Sequence, residues 1–151
     1  MKATEKECKH LSEWKYIIEL PPMATPRPQS RRLKDGRTIT YYSTQYTEYM
    51  YNVQKMLVED GAYNENFYNV LNAEMGVRAE IIFYVQAPKS QKKIKNVMRT
   101  SAPDIDNLVK ACLDSIFRGL DVKDSRVCML ATAKFQELHR PRTEIRLIGV
   151  E

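Results

Sequence analysis

The stretch that decides the fold is SAPDIDNLVKACLDSIFRGLDVKDSRV, residues 101–127. The backbone avoids the α region before a proline, so Ala102 is predicted to be extended. Beyond Asp106, the predicted N-cap, apolar residues recur with helical spacing. They form two rows on one face: Leu108, Cys112 and Ile116, then Val109, Leu113, Phe117 and Leu120. A helix buried along that face would hold its first turn in a fixed place.

The charged residues of the same stretch form a candidate site. Asp104 and Asp106 are two positions apart and would point the same way in an extended chain. Lys110 follows Asp106 by one helical turn, and Asp124 comes just before an apolar run that begins at Val127. Three carboxylates and a lysine that met at one point would suit metal-dependent phosphoryl transfer, because Mg²⁺ prefers oxygen ligands. Two such ions about 4 Å apart can clamp the attacking and leaving oxygens.

Helix capping is the alternative explanation of the paired aspartates, because carboxylates stabilise helix N-termini. One aspartate would suffice for capping, and the residues alone leave both explanations open. We assign a structural role to Asp114, as an ion pair with Arg118 at i+4.

The pattern Pro-Asp-x-Asp-Asn-Leu-x-Lys-x-x-x-Asp, followed by a turn and Asp-Ser-x-Val, resembles the RusA family of Holliday junction resolvases. The resemblance is densest over residues 103–127 and extends more loosely to both ends of the chain. Members of that family are small homodimeric endonucleases that need a divalent metal and nick four-way DNA junctions in symmetric pairs.

The resemblance implies one essential basic residue and three metal-binding carboxylates: Lys110, and Asp104, Asp106 and Asp124. The implied ion is Mg²⁺, with Mn²⁺ as the alternative. Family members often carry two adjacent aspartates at the third acid, whereas here Lys123 precedes Asp124. Asp121 is therefore a rival, although the spacing to Val127 favours Asp124.

Length and composition predict a single domain, residues 14–151, after an N-terminal extension, residues 1–13. No apolar run approaches the roughly 20 residues that a membrane span needs. The first residues lack the apolar segment of a signal peptide, so a cytoplasmic protein is expected. The three cysteines form no C-x-x-C pair, and Cys112 and Cys128 are predicted to be buried free thiols.

The net charge of +5 is concentrated in two segments and leaves the rest of the chain net acidic. A polyanion is the natural partner of such segments, and the family resemblance implies that it is branched DNA. The first segment is opposed by Asp35 alone and comprises Arg27, Arg31, Arg32, Lys34 and Arg37. The second contains no acid and comprises Lys89, Lys92, Lys93, Lys95 and Arg99.

The remaining pattern predicts an α+β fold, a single mixed β-sheet with packed helices that is RusA-like, in the order β-α-(α)-β-α-β-β. Strands are predicted at residues 14–20, 77–85, 127–135 and 143–150, the last two as an antiparallel hairpin. Helices are predicted at residues 44–60, capped by Ser43 or Thr44, and at 63–74. Residues 34–37 are predicted to form a tight turn, the tip of a small hairpin.

The helix at residues 44–60 carries most of a tyrosine cluster that could either stack on bases or pack inside the protein. At helical spacing, we favour core or interface positions for these residues: Tyr41, Tyr42, Tyr46, Tyr49 and Tyr51. That helix and the final strands are the expected interface of a homodimer.

Two other functions compete with a junction endonuclease. A non-catalytic branched-DNA-binding module would use its carboxylates only for capping and pairing. A different magnesium phosphotransferase or nucleotide hydrolase is less favoured, because the chain has 5 glycines and no Gly-rich phosphate loop.

Overall fold

The computed structural model describes residues 11–151, in which three helices pack on a four-stranded sheet and a two-stranded ribbon stands apart. This arrangement confirms the predicted α+β class. Most of the predicted N-terminal extension lies outside the described residues, and Glu13 is already part of the first strand. The elements are β1 (Glu13–Ile18), β2 (Gln29–Arg32), β3 (Thr38–Tyr41), α1 (Thr44–Glu59), α2 (Glu65–Leu71), β4 (Val77–Gln86), α3 (Ile105–Phe117), β5 (Val127–Glu137) and β6 (Arg142–Gly149).

The four-stranded sheet has the order β1-β6-β4-β5. Strand β6 is antiparallel to both β1 and β4, whereas β5 is parallel to β4, so the sheet is mixed as predicted. The predicted hairpin between β5 and β6 is wrong, because β4 lies between them. The connection crosses the end of β4, where Glu137 pairs with Gln86 and Arg142 pairs with Tyr84.

Helix α3 connects β4 to β5 and buries its apolar stripe against the sheet. Leu108, Cys112 and Ile116 are almost completely buried, as the periodicity predicts. Burial raises the pKa of the Cys112 thiol to about 12. Cys128 is exposed, which contradicts the predicted burial, because it lies on β5 at the edge of the sheet.

The helix boundaries follow from their caps. The Ser43 side chain accepts a hydrogen bond from the Tyr46 backbone N–H, so α1 begins as predicted. Asn64 caps α2 in the same way. Helix α3 begins one residue before the predicted N-cap, Asp106, because the N-cap is Asp104, whose carbonyl accepts the first helical bond from Leu108.

The ribbon formed by β2 and β3 closes through the predicted turn. The Leu33 N–H donates to the Arg37 carbonyl at 2.7 Å, and Gly36 has φ of +90°. Glycine suits that position because it has no Cβ to clash. In the described part of the chain, no helix is long and apolar enough to span a membrane.

Candidate active site and DNA interface

The first turn of α3 presents Asp104 and Asp106 to solvent. Asp104 is the N-cap, in extended backbone conformation, and Asp106 lies in the first turn. Both are exposed, and the Asp104 carboxylate makes no capping hydrogen bond. Since a capping aspartate would accept a bond from a first-turn N–H, capping does not account for Asp104.

The segment before Asp104 is held by a lysine from a distant strand. The Lys134 Nζ on β5 donates to the carbonyls of Ser101 and Pro103, at 2.8 and 2.7 Å. The Arg99 Nε donates to the carbonyl between them, that of Ala102, at 3.0 Å. The sequence contains no local signal for Lys134, because the contact joins residues more than thirty positions apart.

One side of α3 carries a row of three charged residues, spaced four positions apart: Asp106, Lys110 and Asp114. Lys110 is exposed and stands between Asp106 and Asp114. Asp114 is about 12 Å along the helix from Asp106, at 1.5 Å per residue. Burial raises the pKa of the Asp114 carboxyl, the Lys110 charge opposes that rise, and the Asp124 charge adds to it. Asp124 is therefore electrostatically close to the far end of the row.

The surroundings of Asp114 differ from the predicted ones. The described residues show no ion pair between Asp114 and Arg118; instead, the buried Tyr46 hydroxyl donates to the Asp114 carboxylate at 3.5 Å. Thr25 forms a hydrogen bond of 3.1 Å with the same hydroxyl. Asp114 is thus joined to α1 and to the segment before the ribbon.

Asp124 begins a single 3₁₀ turn before β5 and is exposed. It borders an open cleft of about 420 Å³, together with Asp114, Lys123 and Tyr42. Asp121, the rival third acid, does not line this cleft. The metal-binding role of Asp124 stays a prediction, because Asp124 lines the cleft with Asp114 and not with Asp104 and Asp106.

The described residues contain no group of three or more His, Cys, Asp or Glu side chains placed to hold one metal ion. Asp104 and Asp106 stand at the start of α3, and Asp124 stands beside Asp114 two turns further on. Mg²⁺ commonly takes one or two carboxylates and completes its shell with water and substrate phosphate. The all-oxygen donor set therefore fits Mg²⁺, with two protein ligands at the helix start.

The first basic segment lies on the ribbon. All eight residues of β2 and β3 are exposed, and this sheet pairs with no other strand in residues 11–151. Its base is tied to the site, because the Thr25 N–H donates to the carbonyl of Asn107 in α3 at 3.0 Å. The five predicted cations are all exposed: Arg27, Arg31, Arg32, Lys34 and Arg37. The Arg37 Nε donates to Asp35 at 2.6 Å, which partly neutralises it.

The second basic segment ends along the edge of β5, where residues 96–99 contact that strand, and the chain then enters α3. The Arg99 N–H donates to the Lys134 carbonyl, and the Gln136 N–H donates to the Val97 carbonyl. Arg99 is half-buried and its Nη1 donates to the Gln136 Oε1, so it also supports this segment. The four predicted lysines are exposed: Lys89, Lys92, Lys93 and Lys95.

The tyrosine cluster divides between core and surface. Tyr46 and Tyr49 are buried, as predicted for core positions. Tyr41, Tyr42 and Tyr51 are at least one-third exposed, and Tyr42 contacts the edge of the Tyr46 ring at the cleft. The helical spacing therefore predicted the inward face of α1 correctly, and an interface role for the exposed tyrosines stays a prediction.

Comparison with known proteins agrees with the pattern of residues in α3 and its surroundings. The family model of endodeoxyribonuclease RusA matches residues 19–148, a range that includes α3, both basic segments and Asp124. No curated protein matches the chain significantly. The match covers most of the 151 residues. The chain belongs to the RusA endodeoxyribonuclease family.

Proposed function

We propose that this protein is a divalent-metal-dependent endonuclease that resolves four-way DNA junctions by paired symmetric nicks, as a homodimer. The family is one of endodeoxyribonucleases that act on branched DNA junctions. The observation that carries the proposal is the start of α3. There, Asp104 and Asp106 are exposed and the Asp104 carboxylate makes no capping hydrogen bond. Thr25 before the ribbon and Arg99 of the second basic segment both donate to carbonyls beside these two residues.

Asp104 and Asp106 would hold Mg²⁺, or Mn²⁺. Asp124, the third carboxylate that the family pattern implies, lies beside Asp114 two turns along α3 and would complete the acidic site from there. When bound, the ion supplies an activated water and neutralises charge that develops on the phosphate. Exposed carboxylates suit this role, because the ion must also be reached by water and by the DNA backbone.

Lys110 would act on the scissile phosphate. Its ammonium lies one helical turn after Asp106 on the exposed side of α3. A lysine works there as a point charge that binds a non-bridging oxygen and stabilises the more negative transition state.

The two basic segments would position the junction. Phosphate contacts supply affinity and orientation without reading sequence. A two-stranded ribbon is narrow enough to enter a major groove, and the base of this one meets α3 at Asn107. DNA bound on the ribbon would therefore reach the acidic turn.

Nicking of a synthetic four-way junction tests the proposal, with a linear duplex of the same sequence as the substrate control. We expect Mg²⁺-dependent cleavage of the junction and none in EDTA. Asp104→Asn, Asp106→Asn and Asp124→Asn should each reduce cleavage by more than the roughly 10- to 100-fold typical of residues that only orient metal ligands. Junction binding should persist or tighten, because a negative charge facing phosphate has been removed.

Two matched variants sharpen this test. Asp121→Asn should cleave normally; loss of activity there, with full activity in Asp124→Asn, would make Asp121 the third acid. Glu74→Gln removes an exposed acid far along the chain from α3 and should change nothing. Junction binding without any metal-dependent nicking by the unaltered protein would favour the non-catalytic DNA-binding module instead.

A further inference from the structure

Strand β5 leaves the first half of its outer edge unpaired. Its C-terminal half is covered by residues 96–99, through the backbone bonds of Arg99 and Gln136 and a bridge between Met98 and Phe135. For residues 128–132, the structure shows no backbone partner on that edge within the described chain. Met129 and Leu130 are each nearly half exposed.

The sequence of this edge lacks the usual protection against pairing. Residues 128–133 read CMLATA, with no charged residue and no proline. Natural edge strands generally carry lysine, proline or a bulge that blocks the approach of another strand. An uncharged, unpaired edge with apolar side chains is suited to pairing with a further strand.

The apolar character continues onto the sheet face that the helices leave uncovered. Met129, Ala131 and Phe135 lie in register with Arg78, Glu80 and Tyr84 of β4, and the Phe135 and Tyr84 rings are 5.8 Å apart. Neighbours in register share a face of the sheet. The outward side of β5 is therefore an apolar stripe of four residues: Met129, Ala131, Ala133 and Phe135.

The opposite half of the same face is occupied by paired charges. Arg146 of β6 donates to Glu13 of β1 and to Glu80 of β4, and Arg142 donates to Glu144. These groups satisfy one another within the sheet. The outer face also exposes Ile17 of β1, but only the edge strand β5 combines exposed apolar side chains with unpaired backbone groups in the described residues.

We propose that residues 128–132 of β5 pair antiparallel with the same residues of a second copy of this chain, joining two four-stranded sheets into one. A second copy fits because the segment has no charge and meets itself without repulsion. DNA does not fit, because the segment offers no cation for a phosphate. The proposal deepens the homodimer of the proposed function and rests on it.

The symmetry of this pairing matches the chemistry required at a junction. Antiparallel pairing of identical edges places the twofold axis perpendicular to the sheet, so both copies carry their helices on the same side. Lys134 of the same strand holds the start of α3. Both acidic turns would therefore face one surface, as two symmetric nicks in one junction demand.

The exposed face of α1 is the competing interface, and its composition is that of a solvated helix. Tyr51 and Val58 are about two-thirds exposed, but Lys55 and Glu59 form an i,i+4 pair on the same helix. Such alternation of apolar and charged groups is normal for a surface helix. It carries no unpaired backbone groups that a partner would satisfy.

Cysteine cross-linking distinguishes the two surfaces. The Cys8→Ser, Cys128→Ser background keeps only the buried Cys112. In it, one cysteine is added in place of Met129, Leu130 or Ala131, and Tyr51→Cys serves as the α1 control. Residues opposed across an antiparallel pair have Cβ atoms about 4.5–5.5 Å apart, within reach of a disulfide after small adjustment. We expect a covalent dimer after mild oxidation from at least one β5 position, whichever register centres the axis, and none from Tyr51→Cys.

A charge on the edge provides the second measurement. Met129→Lys should reduce the sedimentation mass from twice 17.6 kDa to 17.6 kDa, and Val58→Lys should leave it unchanged. Cross-linking through Tyr51→Cys alone, or a Met129→Lys protein that stays dimeric, would overturn the proposal. So would a monomeric unaltered protein.

The nicking assay on the same samples separates this proposal from the proposed function. Metal-dependent nicking by the unaltered protein with no cross-link from β5 would refute the interface and leave the endonuclease standing. Cross-linking through β5 without any nicking would refute the endonuclease and support the interface.

Discussion

Lys134 shows how a single residue can connect a distant strand to the acidic turn at the start of α3. Its ammonium bridges two carbonyls that flank Ala102, immediately before Asp104. A carbonyl group bound to a cation is fixed in direction, and the peptide planes beside it are fixed with it. The placement of the two aspartates thus depends on a contact between β5 and the chain that enters α3.

We predict that Lys134→Met reduces junction cleavage by roughly 10- to 100-fold, the range typical of groups that orient metal ligands. Junction affinity should stay near that of the unaltered protein, and more Mg²⁺ should be needed for half-maximal cleavage. Lys134→Arg keeps the donors and should restore part of the activity. The measurements are single-turnover cleavage against Mg²⁺ concentration and junction binding in EDTA.

Lys15→Met is the matched control, because it removes an exposed strand lysine from β1, at the other edge of the sheet. A Lys134→Met protein with an unchanged Mg²⁺ requirement would show that Lys134 supports the fold alone. An equal reduction of cleavage in both variants would lead to the same conclusion.

At the scale of single residues, the sequence predicts which side chains form the candidate site better than it predicts how they are placed relative to one another. The carboxylates beside a proline and a helix start were recognisable because their spacing is local. Asp104 replaced Asp106 as N-cap by the small shift typical of helix boundaries. Lys134, the Tyr46–Asp114 contact and the separation of Asp124 from Asp106 depend on tertiary packing, which no local pattern contains.

Among the elements, the β2–β3 ribbon and the segment before α3 carry ten of the chain's 24 lysines and arginines, grouped in two stretches. Neither is part of the four-stranded sheet. A backbone hydrogen bond from Thr25 to Asn107 ties the base of the ribbon to α3, and the Arg99 side chain ties the second segment to the Ala102 carbonyl. Charge carried on such anchored elements acts at a defined distance from the carboxylates. This differs from a general basic surface, which would raise affinity without orienting the substrate.

We predict that Arg31→Ala, Arg32→Ala and Lys34→Ala combined weaken junction binding and flatten its salt dependence. Removing one phosphate-binding cation lowers the slope of log K against log salt by about 0.9. The combined Lys92→Ala, Lys93→Ala and Lys95→Ala variant should behave alike. Affinity measured at several salt concentrations in EDTA gives the slope without cleavage.

Lys55→Ala on α1 removes a charge away from both segments and should leave the slope unchanged. A slope equal to that of the unaltered protein in both triple variants would show that neither segment contacts DNA. If only the ribbon variant lowers the slope, the second segment serves mainly to support the start of α3, as the Arg99 hydrogen bonds already do.

The helices and strands themselves were largely predictable from the sequence, whereas the pairing of the strands within the sheet was not. The β-branched and aromatic residues of 77–85 identified β4, and the start of α1 was recognisable from its cap, Ser43. Adjacency in sequence favoured a hairpin of β5 and β6, but β4 is buried on alternate residues and needs a partner on each edge. Hydrogen-bond partners on both edges of β4 stabilise the sheet more than a hairpin between β5 and β6 would, although the loop between these two strands is short.

For the whole molecule, symmetry decides what a single site can accomplish. A four-way junction presents two equivalent strands, and one set of carboxylates can cut only one of them at a time. A twofold dimer offers two sites related as the two strands are related. Whether one strand or both strands of a junction are cut then shows whether both sites act on it, and the reaction rate does not.

We therefore predict that a mixed dimer of one unaltered copy and one Asp104→Asn copy makes one nick per junction. Differently tagged copies are co-expressed, and the mixed dimer is isolated through both tags. On a supercoiled plasmid that extrudes a cruciform, the unaltered dimer should give linear DNA, because both strands are cut across the branch. The mixed dimer should give nicked circles, because only one subunit carries the complete set of carboxylates.

A dimer of two unaltered copies that carry the two different tags controls for the effect of the tags. Purifying the mixed dimer again after the reaction through both tags excludes exchange of subunits. Linear product from the mixed dimer at the rate of the unaltered one would mean that a single site cuts both strands in succession, and the dimer would then serve binding rather than paired cleavage.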